Sequence, residues 1–565
     1  MDAIKEKLKY GFRFVLFGLL LLAVTSGMTG CKDKQKKIDA YLDAAHELWG
    51  FDGAVLVAVD GRALFSRGYG MANQKVGVPN TPHTKFVIGS ITKQFTAAAI
   101  LKLQEKGLLN TRDVISKYLP KYPKPTGDKI TIHHLLSHTS GLPNYTDYPE
   151  VLLKRLNLIT PEEIMRTFMY RPLEFEPGTA FKYSNSGYIL LGMIIEKVSG
   201  QSYEAFLHHE LLKPLGMNNT GYARREAGLP ERADGYTLEE KNLVDALPVH
   251  FSVLHTAGAL YSTVEDMLLW DQALYGEKVL SRESITKMFT PNLQNYGYGW
   301  VIEERYGRKH TFHGGFLDGF NTVFSRWPDD RLCIVVFSNE DIAPVKKIAR
   351  GLAAIIYGEP YVFPVEKKPA EIDPNLLVEY DGVFEMAPEF YRLVQKDNDK
   401  LYTRIVGEPR RQLLPESDDK FFVDADNTVT LTFNRDDNGK VVSLDLVDDM
   451  MIYRANRLPD YVSEELLTDR AAEAVDPGVF ESCIGTYKLE SGFDTVFNLT
   501  VTREGDRLFA AVPGSDKIEL YAVSATEFLH SEADFRLKFQ TDEFGHVVGC
   551  ILRMGLMDVH GRKIR

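Results

Sequence analysis

The chain has 565 residues, more than one ordinary domain holds, so about two to four domains are expected. Hydrophobic residues make up 44% and charged residues 25%, the balance of a globular protein, which excludes a disordered, collagen-like or coiled-coil chain. A net charge of −12 gives no general attraction for nucleic acid, and four cysteines exclude a disulfide scaffold.

The N-terminus reads as an address. Lys5, Lys7, Lys9 and Arg13 precede an uncharged apolar run, Phe14 to Val24, followed by small residues and Cys31. This is the three-part layout of a bacterial secretion signal. A helix over the apolar run spans only ~16 Å, about half the hydrocarbon core. Cleavage is therefore expected; an uncleaved anchor is the alternative. Met28-Thr29-Gly30-Cys31 resembles the lipobox of bacterial lipoproteins, with Met28 where Leu is usual. The resemblance implies a signal peptide over 1–30, lipidation of Cys31 and a polar tether over 31–37. The chain would then be an exported, membrane-anchored lipoprotein on the periplasmic or cell-surface side.

Residues 38–363 alternate helix and strand patterns. Phe51 to Gly70 predicts a strand pair with a turn at Gly61. Ile91 to Lys106 and Tyr188 to Val198 predict helices, and Leu332 to Ser338 a buried strand. Strands at both ends of a helical middle predict an α+β domain with an antiparallel sheet.

A charged, proline-containing linker is expected at 364–374, and an acidic connector at 460–477. The segments 375–459 and 478–565 look like copies of each other. VEYDGVFEM at Val378 matches ESCIGTYKL at Glu481, Leu401 matches Leu508, and the turn at Gly439 matches that at Gly545. Period-two apolar spacing predicts a small antiparallel β-barrel of about eight strands from each copy.

Three motifs carry chemistry. In Gly89-Ser90-Ile91-Thr92-Lys93, Ser90 and Lys93 share one helix face. A serine hydroxyl needs a proton acceptor, which a lysine with a lowered pKa supplies. In Tyr183-Ser184-Asn185, the phenol could relay protons and Asn185 could hold Lys93 and a substrate amide. In His313-Gly314-Gly315-Phe316, the glycines admit a substrate to a strand edge, and the following N–H could join that of Ser90 in an oxyanion hole.

The order Ser-x-x-Lys, Tyr-x-Asn, then basic residue-x-Gly resembles the serine β-lactamase and penicillin-binding protein superfamily, in its class C-like branch. The stretches 131–144, 175–187, 211–217 and 257–267 are similar to that branch as well. The resemblance implies that Ser90 is acylated, that Lys93 and Tyr183 form the general-base pair, and that Asn185 contacts the substrate amide. It also implies an oxyanion hole from the N–H groups of Ser90 and Phe316, a substrate edge at Gly315, and Tyr145 lining the pocket. His313 stands where many members carry a lysine that holds a substrate carboxylate, and a neutral imidazole would not replace it. The His-x-Gly form with two trailing barrels resembles D-aminopeptidases, whose trailing domains look like lipocalin barrels.

His133, His134 and His138 are expected to serve structure rather than metal binding, and Cys333 to be a buried small hydrophobe. Whether Cys483 and Cys550 pair is open. The leading expectation is a serine hydrolase acting on an amide or ester, with D-amino-acid peptides as substrates (D-aminopeptidase or DD-peptidase-like). A carboxylesterase or class C-like β-lactamase is the alternative within enzymes. A degenerate cell-wall-binding or sensory protein is the alternative outside them. Acyl-serine chemistry calls for no metal or organic cofactor.

Overall fold

The computed structural model describes residues 32–564 apart from 149–157, 225–230, 240–241, 248, 388–389, 406–409, 424–425, 449–450, 460–479, 492–494, 506, 512–516, 523, 530–534, 543–545 and 555–556. The signal peptide 1–30, Cys31, the connector 460–477 and Gly545 therefore lie outside the described residues. The chain divides into two compact units, Met1–Val365 and Glu366–Arg565, the boundary falling within the expected linker.

The first unit is built on a six-stranded antiparallel sheet. Its strands are β1 (Gly53–Val59), β2 (Arg62–Tyr69), β3 (Val301–Arg305), β4 (Arg308–Leu317), β5 (Phe320–Trp327) and β6 (Leu332–Ser338), in the order β3-β4-β5-β6-β1-β2. The N-terminal hairpin thus joins the C-terminal meander through β1 and β6, in register from Gly53 opposite Ser338 to Val59 opposite Leu332. Both strands read as continuous apolar runs because both faces of the sheet are covered. On one face, Val55, Val57, Ile334 and Val336 pack against α1 (32–49) and α6 (Val345–Tyr357). The opposite-facing Ala54, Leu56, Val335 and Phe337 are buried as well.

The helical middle holds α2 (Thr92–Glu105), α3 (Ile132–Leu136), α4 (Asn185–Ser199) and α5 (Val264–Ala273). Nearly every residue of α2 is buried, Lys93, Gln94 and Thr96 included, so it runs through the core rather than along its surface. Thr96 Oγ1 donates to Thr256 O at 2.8 Å, and Trp270 Nε1 donates to Gln94 Oε1 at 3.1 Å. The helix α4 starts three residues before the expected one and stops at Gly200, whose φ of 70° terminates it.

The second unit holds two closed eight-stranded antiparallel barrels. The first runs from β7 (Gly382–Ala387) to β14 (Met451–Arg457), the second from β15 (Gly485–Ser491) to β22 (Met557–Lys563). The first closes with Phe384 opposite Arg457, the second with Tyr487 opposite Lys563. Matching turns support the duplication. Asp436 N and Asp542 N each donate at 2.9 Å to the carbonyl four residues on, at Lys440 and His546. The N–H groups of Lys440 and His546 return to the same carboxylates. Aromatic residues fill both interiors, with Tyr380, Phe421 and Phe433 in the first and Tyr487, Phe528 and Phe539 in the second. Among the described residues no disulfide forms. Cys483 and Cys550 are thiols in the second core, and Tyr380 and Leu444 hold the equivalent places in the first.

Candidate active site

Ser90 lies in a short 3-10 turn, Gly89–Ile91, that feeds directly into α2. The turn is pressed against β4. A β-carbon on Gly315 would stand 2.0 Å from Ile88 O, and one on Gly89 would stand 2.9 Å from Phe316 N. Gly89 also has a φ of +51°, a conformation that favours glycine. Thr322 Oγ1, on the neighbouring strand β5, lies 3.1 Å from Ile88 O and 3.2 Å from Gly315 O, fastening turn to sheet. On the opposite edge, β3 pairs with β4 only as far as Phe312, so 313–317 have no partner from that strand. The N–H groups of Ser90 and Phe316 are thereby brought to one locality, and Phe316 is 67% exposed.

Lys93, one turn into the core, is fully buried. Its Nζ lies 2.9 Å from Ser90 Oγ, 2.8 Å from Asn185 Oδ1 and 2.8 Å from Ala257 O. The last two groups are carbonyls and can only accept. A neutral amine has two N–H bonds, which these carbonyls use, leaving its lone pair for the Ser90 hydroxyl. Burial favours this state, because desolvation holds the Lys93 pKa well below the ordinary lysine value.

Tyr183 faces the same serine. Its hydroxyl is buried and makes no well-formed hydrogen bond, and burial raises its pKa, with Ser90 offsetting part of the rise. It is held as a phenol. The His138 ring lies behind it at 4.3 Å between ring centres, and His138 Nδ1 accepts from Ser184 N at 3.2 Å. His133 Nδ1 contacts the Tyr298 hydroxyl, and His134 accepts from the Thr131 N–H at the start of α3. All three histidines thus have structural engagements, and among the described residues no group of three ligating side chains is placed to hold a metal.

His313 does not offer the charge its position suggested. Desolvation first, then Lys93, pull its pKa down to about 3, so the ring is neutral. Both nitrogens are engaged: Nε2 accepts from the Tyr296 hydroxyl at 2.9 Å, and Nδ1 donates to Gly314 O at 2.6 Å. The His313 ring therefore offers a substrate carboxylate no charge.

Asn185, the first residue of α4, is fixed from both ends. Its N–H donates to Asn144 Oδ1 at 2.9 Å, and its Nδ2 donates to Thr146 Oγ1 at 3.3 Å. Tyr145 is fully buried, and its hydroxyl donates to Val253 O. A cleft of about 270 Å³ opens over Ser90, with Tyr145, Asn185, Leu254 and Phe316 among its walls. The structure thus gathers Ser90, Lys93, Tyr183, Asn185, Tyr145 and Phe316, and sets His313 behind them. Sequence reasoning did not single out Ala257 O, Thr146 or Tyr296. A backbone carbonyl carries no residue signature, although Ala257 opens one of the stretches noted above.

Residues 39–357 match the model of the beta-lactamase family, and 366–458 match a domain of unknown function (DUF3471). Penicillin-binding protein 4* of Bacillus subtilis is 32% identical over 425 residues, covering 70% of this chain and 92% of that protein. The octameric penicillin-binding protein homologue from Pyrococcus abyssi aligns with a TM-score of 0.55 and 28% identity, over 74% of this chain and 99% of that one. The penicillin-binding protein from Bacillus halodurans aligns with a TM-score of 0.51 and 30% identity, over 56% and 99%. With its antiparallel sheet, its buried helix and these matches, the chain belongs to the beta-lactamase family of serine hydrolases.

Proposed function

We propose that this protein hydrolyses an amide or ester bond through an acyl intermediate on Ser90, with D-amino-acid-containing peptides as substrates. The observation that carries the reading is the 2.9 Å approach of a buried, neutral Lys93 to Ser90 Oγ. Lys93 takes the hydroxyl proton as Ser90 attacks the carbonyl. The Ser90 and Phe316 N–H groups receive the oxyanion. Tyr183, kept as a phenol, gives a proton to the leaving group, and the proton held by Lys93 restores it. Water then enters by the reverse route and releases the acid.

The peptide substrate class is supported by the penicillin-binding relatives and by the open β4 edge from 313 to 317, where an extended peptide could lie. The neutral His313 favours peptides and esters over β-lactams that depend on a cation at that position. The intact Ser90, Lys93 and Asn185 contacts favour an enzyme over a binding or sensory protein. The lipobox-like 28–31 supports a lipid anchor at Cys31 and an exported location.

The test is intact mass after exposure to an active-site serine probe and, separately, to a penicillin with drug loss followed. Adducts on the wild type that vanish in Ser90→Ala support the acyl-enzyme. Probe labelling that persists in Ser90→Ala overturns it.

A further inference from the structure

A second chamber of about 310 Å³ adjoins the Ser90 cleft and shares Val249, Leu317 and Asp318 with it. Strand β4 leads there. The chain passes from Phe316, beside Ser90, through Leu317 to Asp318 on the common wall. Two cations are among the residues lining the two cavities, Lys75 and Arg232. Lys75 is already paired with Asp245.

Arg232 is in a different state. Its Nη1 is sealed from solvent and meets no acceptor, and among the described residues it forms no ion pair. Its Cζ lies 5.8 Å from the centre of the Phe251 ring. The backbone on either side is fixed to Lys85, with Lys85 N donating to Glu231 O at 2.8 Å and Ala233 N to Lys85 O at 3.0 Å. Three acids line the chamber: Asp245 is bound by Lys75, Asp234 accepts from Asn73 Nδ2 at 2.5 Å, and Asp318 lies on the wall shared with the Ser90 cleft; among the described residues none of them is ion-paired with Arg232. Arg232 is half-buried, and its sealed Nη1 is a donor left without an acceptor, which is costly; a carboxylate is the group whose geometry matches a guanidinium in two parallel hydrogen bonds.

We infer that this chamber is a subsite for a substrate carboxylate and that Arg232 binds it, supplying the charge that His313 lacks. The inference rests on the acyl-Ser90 reading. An acyl group on Ser90 extends along the end of β4 into the chamber, so a carboxylate at the far end of the acyl chain reaches the guanidinium.

The test uses p-nitrophenyl monoesters of adipic, pimelic and suberic acid, each beside its methyl-capped form, with the full chain. Wild type should favour the free carboxylate at one chain length by about tenfold or more in kcat/KM. Arg232→Gln should abolish that ratio, and Arg232→Lys should restore part of it. No preference at any length, or a preference that survives Arg232→Gln, overturns the subsite while leaving the serine mechanism standing. If wild type cleaves none of the esters and Ser90 takes no acyl group, the acyl-enzyme reading fails and this inference falls with it.

Discussion

Gly315 passes so close to Ile88 that a β-carbon would stand 2.0 Å from the Ile88 carbonyl oxygen and 2.5 Å from Thr322 Oγ1. The backbone oxygen cannot rotate away, so Gly315→Ala must push the Ser90 turn off the sheet. Overpacking of this kind costs about 1–3 kcal/mol. The expected outcome is a fall of a few degrees in Tm, with loss of probe labelling at temperatures where the variant is still folded. Thermal melts beside intact-mass labelling measure both.

The depressed Lys93 pKa sets the direction of the pH dependence. The amine must be neutral to accept the Ser90 proton, so kcat/KM should rise with pH through a value well below that of an ordinary lysine. Stability follows the same sign. Between the folded-state pKa and about 10, the unfolded chain holds a proton that the native protein lacks, so stability increases with pH there. Lys93→Met should remove that slope along with activity, as denaturant titrations at several pH values would reveal.

Removing the Tyr183 hydroxyl separates catalysis from folding. The group is buried and makes no well-formed hydrogen bond, so Tyr183→Phe should leave stability unchanged or slightly improved. Turnover should fall about 100- to 10,000-fold, the usual contribution of a positioned proton donor. Paired Tm and kcat measurements check this, and a large loss of Tm would contradict it.

His313 should be invisible to ordinary titration. With its pKa down to about 3, the pH–rate profile should show no limb from this imidazole near pH 6.5. An imidazole NMR resonance assigned through His313→Gln should keep its neutral shift from neutral pH down to about pH 5, well above the depressed pKa.

Lipidation at Cys31 is directly testable. The full chain expressed in a bacterium should partition into membranes and incorporate labelled palmitate, and Cys31→Ser should lose both.

The cluster in the cleft was legible because its residues stand in short motifs of fixed spacing: Ser90 with Lys93, then Tyr183 with Asn185. Strands β1 and β6 were legible from their apolar runs, and the barrels from alternation and repeated turns. The start of α4 was not. The apolar pattern begins only at Tyr188, yet the helix opens at Asn185, where Ser186 Oγ donates to Pro143 O at 2.6 Å and accepts from Tyr145 N at 2.9 Å, tying the helix start to a distant loop. How firmly His313 is held neutral was hidden. The depression of its pKa comes first from burial and then from Lys93, and neither is encoded near residue 313.

The pairing of Gly53 with Ser338 also bears on how the protein comes into being. The apolar β1 emerges early in synthesis, but its neighbour β6 appears only after the entire helical middle. Contacts this far apart in sequence slow folding. Until β6 arrives, one edge of the N-terminal hairpin lacks its permanent partner, and the nascent chain must be kept from aggregating. If the chain is exported as proposed, that delay becomes an advantage, because a domain unable to fold early cannot jam the passage.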